Sequence, residues 1–249
     1  MTRATSHGVE SAAPNLSIVI PIYNEEAILE TAVRGLVSKL DQASYDYELI
    51  LSENGSTDAT SDIAERLAHE LPRLRILHSP EPNYGRALRA GIEHARGTYV
   101  ICDEIDLGDM DFYKRALDVL DIGADLVVGS KRHPDSDDAR PLLRKIGTTV
   151  ITGLLHISVG FKGTDTHGLK AFRREALLPI VAQCIVEHDL FASELVVRAA
   201  RSDLDVHEIP LRVREIRPPS IHLVRRVPRV LANLARLVAV IHFPSGRKT

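Results

Sequence analysis

The chain is short of cysteine, of long apolar runs and of excess positive charge, and each shortage removes a class of protein. Cys102 and Cys184 are its two cysteines. They have neither a metal-ligand spacing nor a disulfide framework, which fits a reducing cytosol. No stretch reaches the roughly 18 uncharged apolar residues that a membrane span needs. The first 15 residues, Met1 to Asn15, hold no apolar core of signal-peptide length and read as a frayed tail. Lys and Arg total 31 against 34 Asp and Glu, a net charge of -3. A general nucleic-acid binder would usually be basic, so that class is set aside. There is no internal repeat, no low-complexity block and no Gly-, Ser- or Pro-rich linker to divide the chain.

What is present suits one α/β domain. The 249 residues are 44% hydrophobic and 26% charged, enough for a substantial core. Strand-like and helix-like runs alternate through the first half. The pattern predicts strands at Leu16–Ile22, Tyr47–Ser52, Arg75–His78, Thr98–Cys102 and Asp125–Gly129. Between them it predicts helices at Glu26–Leu40, from Asp58 to about Glu70, at Arg86–Ala95 and at Asp111–Leu120. Such alternation specifies a mostly parallel sheet with helices on both faces. The second half is less regular. Leu142, Leu143, Ile146, Val150, Leu154 and Ile157 share one helical stripe. Leu190–Ala200 reads as a helix, Val206–Val213 as a strand, and Pro228 can open a last helix to Ile241.

The chemistry gathers where strands stop. The first strand ends in Pro21-Ile22-Tyr23-Asn24-Glu25-Glu26, and the second in Glu53-Asn54-Gly55-Ser56-Thr57-Asp58. In open α/β sheets, ligands bind outside the carboxyl ends of strands. Tyr23 offers an aromatic face for packing on a ligand, and Glu25 can accept from hydroxyl or N–H groups. An amide at Asn54 both donates and accepts. Turn and helix-cap duty is the plainer reading of Asn24, Ser56 and Asp58. The fourth strand runs into Asp103-Glu104-Ile105-Asp106. Three carboxylates in four residues repel unless something positive joins them. A cation held by two of these carboxylates is favoured over a plain loop.

These strings, taken in order, resemble the inverting family 2 glycosyltransferases of the GT-A fold. The branch that includes dolichyl-phosphate mannose synthase and other polyprenyl-phosphate glycosyltransferases is the most similar. The similarity runs from about Leu16 to Leu237. It implies a GT-A domain over residues 16–216, a flexible tail at 1–15 and a basic amphipathic helix with a tail at 217–249. It also implies a nucleotide-sugar donor held by Pro21, Tyr23, Glu25, Glu53, Asn54, Arg86, Asp103 and Glu104. Mg²⁺ or Mn²⁺ would sit on Glu104 and Asp106, with Asp106, Glu194 and Arg132 as catalytic candidates. Ser130, Asp165, His167, Lys170 and Arg173 would border the sugar and the acceptor. His167 can equally be a loop residue satisfying backbone groups.

The sequence departs from the family pattern in places. One carboxylate of the usual acidic pair is the amide Asn54. Ala192 stands where an aspartate is common. That loss favours an acceptor that needs no deprotonation, a polyprenyl phosphate, over a sugar hydroxyl served by Asp189 or Glu194. UDP-glucose and GDP-mannose types are the leading donors. A degenerate nucleotide-binding scaffold is the alternative of another class. The last helix carries Val230, Leu231, Leu234, Leu237, Val238 and Ile241 on one face, with Arg225 and Arg226 just ahead and Arg229 and Arg236 on another. It could lie on an anionic membrane surface at the cytoplasmic side or pack its stripe on the domain. Oligomeric state is not legible.

Overall fold

The computed structural model describes residues 13–139, 141–213 and 223–242. Most of the expected tail, residues 1–12, lies outside them, as do the side chains of Leu143, Asp189, Arg225, Arg226 and Arg229.

Nine strands and eight α-helices form among the described residues. In chain order they are β1 (Leu16–Ile22), α1 (Leu29–Gln42), β2 (Tyr47–Asn54), α2 (Thr60–Glu70), β3 (Leu74–Ser79), α3 (Tyr84–His94), β4 (Tyr99–Cys102), α4 (Met110–Asp121) and β5 (Leu126–Ser130). Then follow β6 (Asp137–Asp138), α5 (Leu142–Val159), β7 (Lys170–Arg173), α6 (Arg174–Gln183), α7 (Phe191–Ala200), β8 (Val206–Pro210), β9 (Arg212–Val213) and α8 (Leu223–His242).

Seven strands make the main sheet, in the order β3-β2-β1-β4-β7-β5-β8. All neighbours are parallel except β7, which runs antiparallel to both β4 and β5. β6 and β9 form a small parallel pair of their own. The apolar run of β1 follows from its place between β2 and β4, where both faces are covered. Ile18, Ile20 and Ile22 enter one core beneath α1, α2 and α4, whereas Val19 enters the other, beneath α3, α6 and α7. α1 buries Leu29, Val33, Leu36 and Leu40 at helical spacing. It starts later than the pattern predicts, because the Glu25 carbonyl closes a turn with the amides of Ile28 and Leu29.

The two long helices of the second half, α5 and α8, place their apolar stripes differently. α8 turns Leu234 and Leu237 into the second core, with Val238 and Ile241 against it. That is the packing reading for these four residues of its stripe, while Leu231 stays exposed. α5 instead buries Leu155 and Val159, with Ile151 beside them. Of the predicted stripe, Leu142, Ile146, Val150 and Ile157 are exposed, whereas Leu154 packs against the second core. α5 is apolar on two faces, and periodicity alone cannot say which one meets the sheet.

Candidate active site

The loops after β1 and β2 are zipped together. Asn24 takes a left-handed φ of 53°. Its Oδ1 accepts from the Thr57 amide at 2.8 Å, and its own amide donates to Ser56 Oγ at 3.1 Å. The Glu25 amide donates to Thr60 Oγ1 at 2.6 Å, and Glu26 accepts from the Ala59 amide at 3.0 Å. Asp58 accepts from Thr60 N–H at 3.0 Å and from Glu26 N–H at 3.3 Å, so it serves both loops. Asn24 therefore braces the neighbouring loop rather than capping α1. Gly55 sits at φ 69°, and a Cβ there would lie 3.1 Å from the Glu81 backbone. Tyr23 stands above this frame with 41% of its surface open.

Glu53 and Asn54 lie deeper than the motif suggests; both are buried. Glu53 accepts from the Ser56 amide at 2.6 Å and lies 3.5 Å from His78 Nδ1. Asn54 Oδ1 accepts from the Asn83 amide at 2.5 Å. Asn83 is a hub that sequence reasoning missed, although a lone Asn before a helix is a capping signal. Its Oδ1 accepts from the amides of Arg86 and His188, both at 3.0 Å, and its Nδ2 donates to Glu187 at 2.8 Å. Arg86 pairs with the same Glu187 oxygen at 3.1 Å, and both side chains are open to solvent. No local pattern announces Glu187 as that partner.

The end of β4 separates its three carboxylates. Asp103 is buried, accepts from Tyr113 Oη at 2.5 Å and from the Glu104 amide at 2.6 Å. Burial pushes its carboxyl up to about 7, with Tyr113's hydrogen bond opposing and the Glu104 and Asp109 charges adding. Asp103 is thus a buried brace beneath the loop, because Tyr113 of α4 claims one oxygen and its own chain the other. Glu104 keeps a side chain 42% open, 3.8 Å from Lys131 Nζ. Glu104 and Asp106 both line a cavity of about 490 Å³ between α1 and the loop, with Ala32, Leu36 and Ile105. Among the described residues no three His, Cys, Asp or Glu side chains converge on one point. Carboxylates of this kind offer the oxygen ligands that a hard divalent cation takes.

The fourth wall joins β5 to the loop before β7. Ser130 Oγ and Thr164 Oγ1 are 2.6 Å apart, and Asp165 accepts from the Lys131 amide at 3.1 Å and the His167 amide at 2.8 Å. Glu208 of β8 accepts from the Thr164 amide at 2.7 Å and from its hydroxyl. Gly168 passes so close that a Cβ would lie 1.6 Å from the Gly129 carbonyl oxygen. Lys170 Nζ donates to the Gly168 carbonyl at 2.7 Å, and burial lowers its ammonium below the usual lysine value. Arg132 is exposed beside Ser130, to whose Oγ its amide donates at 3.1 Å.

Two expected site residues stand elsewhere. Arg173 pairs in register with Tyr99, at the far end of β4. Its guanidinium donates to the carbonyls of Ala124 and Leu120 and lies 5.6 Å over the Tyr99 ring. Because β7 runs antiparallel, Lys170 reaches the site end and Arg173 the opposite one. Glu194 is wholly buried in α7. It accepts from the amides of Ile185 and Val186 at 2.9 and 2.6 Å, and from Arg198 Nε at 2.7 Å. A carboxylate so enclosed and fully engaged is placed to anchor the 184–186 segment, not to take a proton from a substrate. Asp189, the other base considered, lies outside the described side chains.

Residues 17–178 match the sequence profile of glycosyl transferase family 2. Glycosyltransferase AglD of Haloferax volcanii is 32% identical over 90% of this chain and 36% of its own length. The undecaprenyl-phosphate 4-deoxy-4-formamido-L-arabinose transferase of Shewanella sediminis is 32% identical over 77% of this chain and 58% of its own length. The chain thus spans only about a third of the first of these relatives. Among solved structures, glucosyl-3-phosphoglycerate synthase from Mycobacterium tuberculosis, in complex with Mn²⁺, UDP-glucose and phosphoglyceric acid, superposes with a TM-score of 0.67. It is 21% identical, and the match covers 92% of this chain and 81% of that one. The sheet order and its single antiparallel strand are therefore those of the GT-A fold.

Proposed function

Since the chain belongs to glycosyl transferase family 2, we propose that it moves a hexose from a nucleotide-sugar to a polyprenyl phosphate, with inversion. The base and ribose lie over Tyr23, Pro21 and Glu25, on a floor that Glu53 and Asn54 stiffen. Arg86 swings from exposed Glu187 to the diphosphate, which offers it a bidentate partner. Lys131 lies between Glu104 and the Asp165 loop, where it offsets charge on the departing nucleotide. Mg²⁺ or Mn²⁺ on Glu104 and Asp106 would neutralise the same charge as a Lewis acid. An oxygen of the acceptor phosphate attacks the anomeric carbon opposite the leaving group. The bond from that carbon to the nucleoside diphosphate breaks, and its electron pair stays on the diphosphate. Catalysis is then positioning and charge stabilisation.

The observation that carries the acceptor assignment is the state of the acceptor-side carboxylates. Among the described side chains of this wall, Asp165 is tied to two amides and Glu208 clamps Thr164, while Glu194 stands buried away from it. A sugar hydroxyl needs a base at this wall; a phosphate arrives already ionised. The names of relatives such as the Shewanella sediminis transferase support the same acceptor.

Isothermal titration with UDP and GDP, each with Mn²⁺ or Mg²⁺, tests the donor side. Binding that needs the metal and is lost in Glu104→Ala and Asp106→Ala is expected. No binding of either nucleotide under any of these conditions would sink the reading.

A further inference from the structure

We infer that His78 is a positioning residue for the donor: it holds the Glu53 carboxylate on which the nucleotide pocket stands. This role rests on the nucleotide-sugar reading above, which puts Glu53 in the floor of that pocket. His78 belongs to none of the motifs at the strand ends, and the transfer step does not use it.

β2 and β3 run parallel, and Glu53 and His78 are partners in register near the ends of both strands, where the loops of the site begin. Side chains at paired positions leave the sheet on the same face. On that face α2 brings Glu65 to the ring. His78 Nε2 lies 2.7 Å from Glu65 Oε1, and Nδ1 lies 3.5 Å from Glu53 Oε2. One imidazole thus stands between two carboxylates. Glu65 is open to solvent, whereas Glu53 is only 5% exposed.

The two sides of the ring do different work. The bond to Glu65 fixes the ring, because the partner of one nitrogen sets the orientation and role of the other. The second nitrogen then faces a carboxylate nearly shut off from water, which needs donors or a positive neighbour. The Ser56 amide supplies a donor to Glu53 Oε1 at 2.6 Å. His78 is the basic group that the structure places at Oε2. Its imidazolium form has one N–H for each carboxylate.

The frame of the pocket hangs on Glu53. Through Oε1 it holds Ser56, whose Oγ accepts from the Asn24 amide, while Asn24 Oδ1 accepts from the Thr57 amide. Asn24 lies between Tyr23 and Glu25 in the chain. Without His78, Glu53 Oε2 keeps no positive neighbour, and the carboxylate turns towards water about its soft last torsion. The Ser56 bond that ties the two loops then weakens. The contacts run in series from Glu65 through His78, Glu53 and Ser56 to Asn24.

The test is isothermal titration of the full chain with UDP and with GDP, each with Mn²⁺, in His78→Leu and His78→Asn. Leucine fills the space without an N–H, whereas the asparagine amide can donate to Glu53 from near the Nδ1 position. The nucleotide that binds the unaltered chain should bind His78→Leu about tenfold more weakly and His78→Asn within about threefold. Donor KM should rise with the loss of affinity while kcat stays within about twofold, because Glu53 does not touch the reacting carbon. Amide hydrogen exchange gives a readout that needs no nucleotide. The Ser56 amide should exchange faster in His78→Leu and recover in His78→Asn, with the Leu51 amide unchanged. Equal affinity in all three chains overturns the inference. So does an equal loss in both variants, because an amide does not rescue a packing role. Faster exchange at Leu51 also overturns it, since His78 then serves general stability. The expected exchange pattern with no nucleotide bound by any of the chains upholds the hold of His78 on Glu53 and refutes the donor reading.

Discussion

Replacing Glu194 by alanine separates an anchor from a base. In the structure its carboxylate is fully buried and accepts three hydrogen bonds, two from the amides of Ile185 and Val186 and one from Arg198. Alanine would leave two amides and a mostly buried guanidinium without their acceptor. An unsatisfied buried donor costs about 1–3 kcal/mol, and breaking one partner of a buried ion pair about 3–5 kcal/mol. These overlap rather than add, so a loss of about 4 kcal/mol is expected. For a chain of this size each kcal/mol moves Tm by about 2–4 °C, which gives a fall of about 8–16 °C. Thermal unfolding followed by circular dichroism measures it. Well below the new midpoint, the residual transferase should keep a kcat within about tenfold of the unaltered enzyme. An unchanged Tm with kcat down by about a thousandfold or more would refute the anchor role and restore Glu194 as the base.

Other substitutions read other parts of the account. Gly168→Ala places a Cβ 1.6 Å from a backbone oxygen of Gly129 and should cost at least about 3 kcal/mol; a normal unfolding midpoint would contradict the close approach. Arg173→Ala should lower stability by about 1–2 kcal/mol through its lost carbonyl and Tyr99 contacts, with KM unchanged for donor and acceptor. A raised acceptor KM would return Arg173 to the site. Asp103 titrates at about 7 in the fold against 3.8 unfolded. The unfolded chain loses this proton first, so the stability Asp103 contributes is complete below about pH 4 and falls away towards about pH 7. Metal-free denaturant titrations should show a decline of a few kcal/mol over that window, absent in Asp103→Asn; identical pH profiles would contradict the burial argument.

Much of this arrangement is legible in the sequence, because strand ends in an α/β sheet are marked by local residues. The runs before Pro21, Glu53 and Asp103 are apolar because their strands are covered on both faces, so the loops that follow had to lie at one edge. The family resemblance added roles to those loops. What is not legible depends on direction and on partners. Lys170 and Arg173 look equivalent in the string, yet an antiparallel strand sends them to opposite ends of the sheet. α5 and α8 both show apolar stripes, and only the space left above the second core decides that α8 packs its stripe while α5 exposes one. Glu194 carries a motif position, but its burial depends on the 184–186 segment folding over it. Asn83 and Glu187 meet although they are 104 positions apart.

The central claim is tested most directly by supplying labelled nucleotide-sugar with polyprenyl phosphate in detergent, and separately with soluble sugar acceptors, in the presence of Mn²⁺ or Mg²⁺. Label is predicted to enter the lipid phosphate with inverted anomeric configuration, and to vanish from it in Asp106→Ala. Label entering only the soluble sugars would contradict the account.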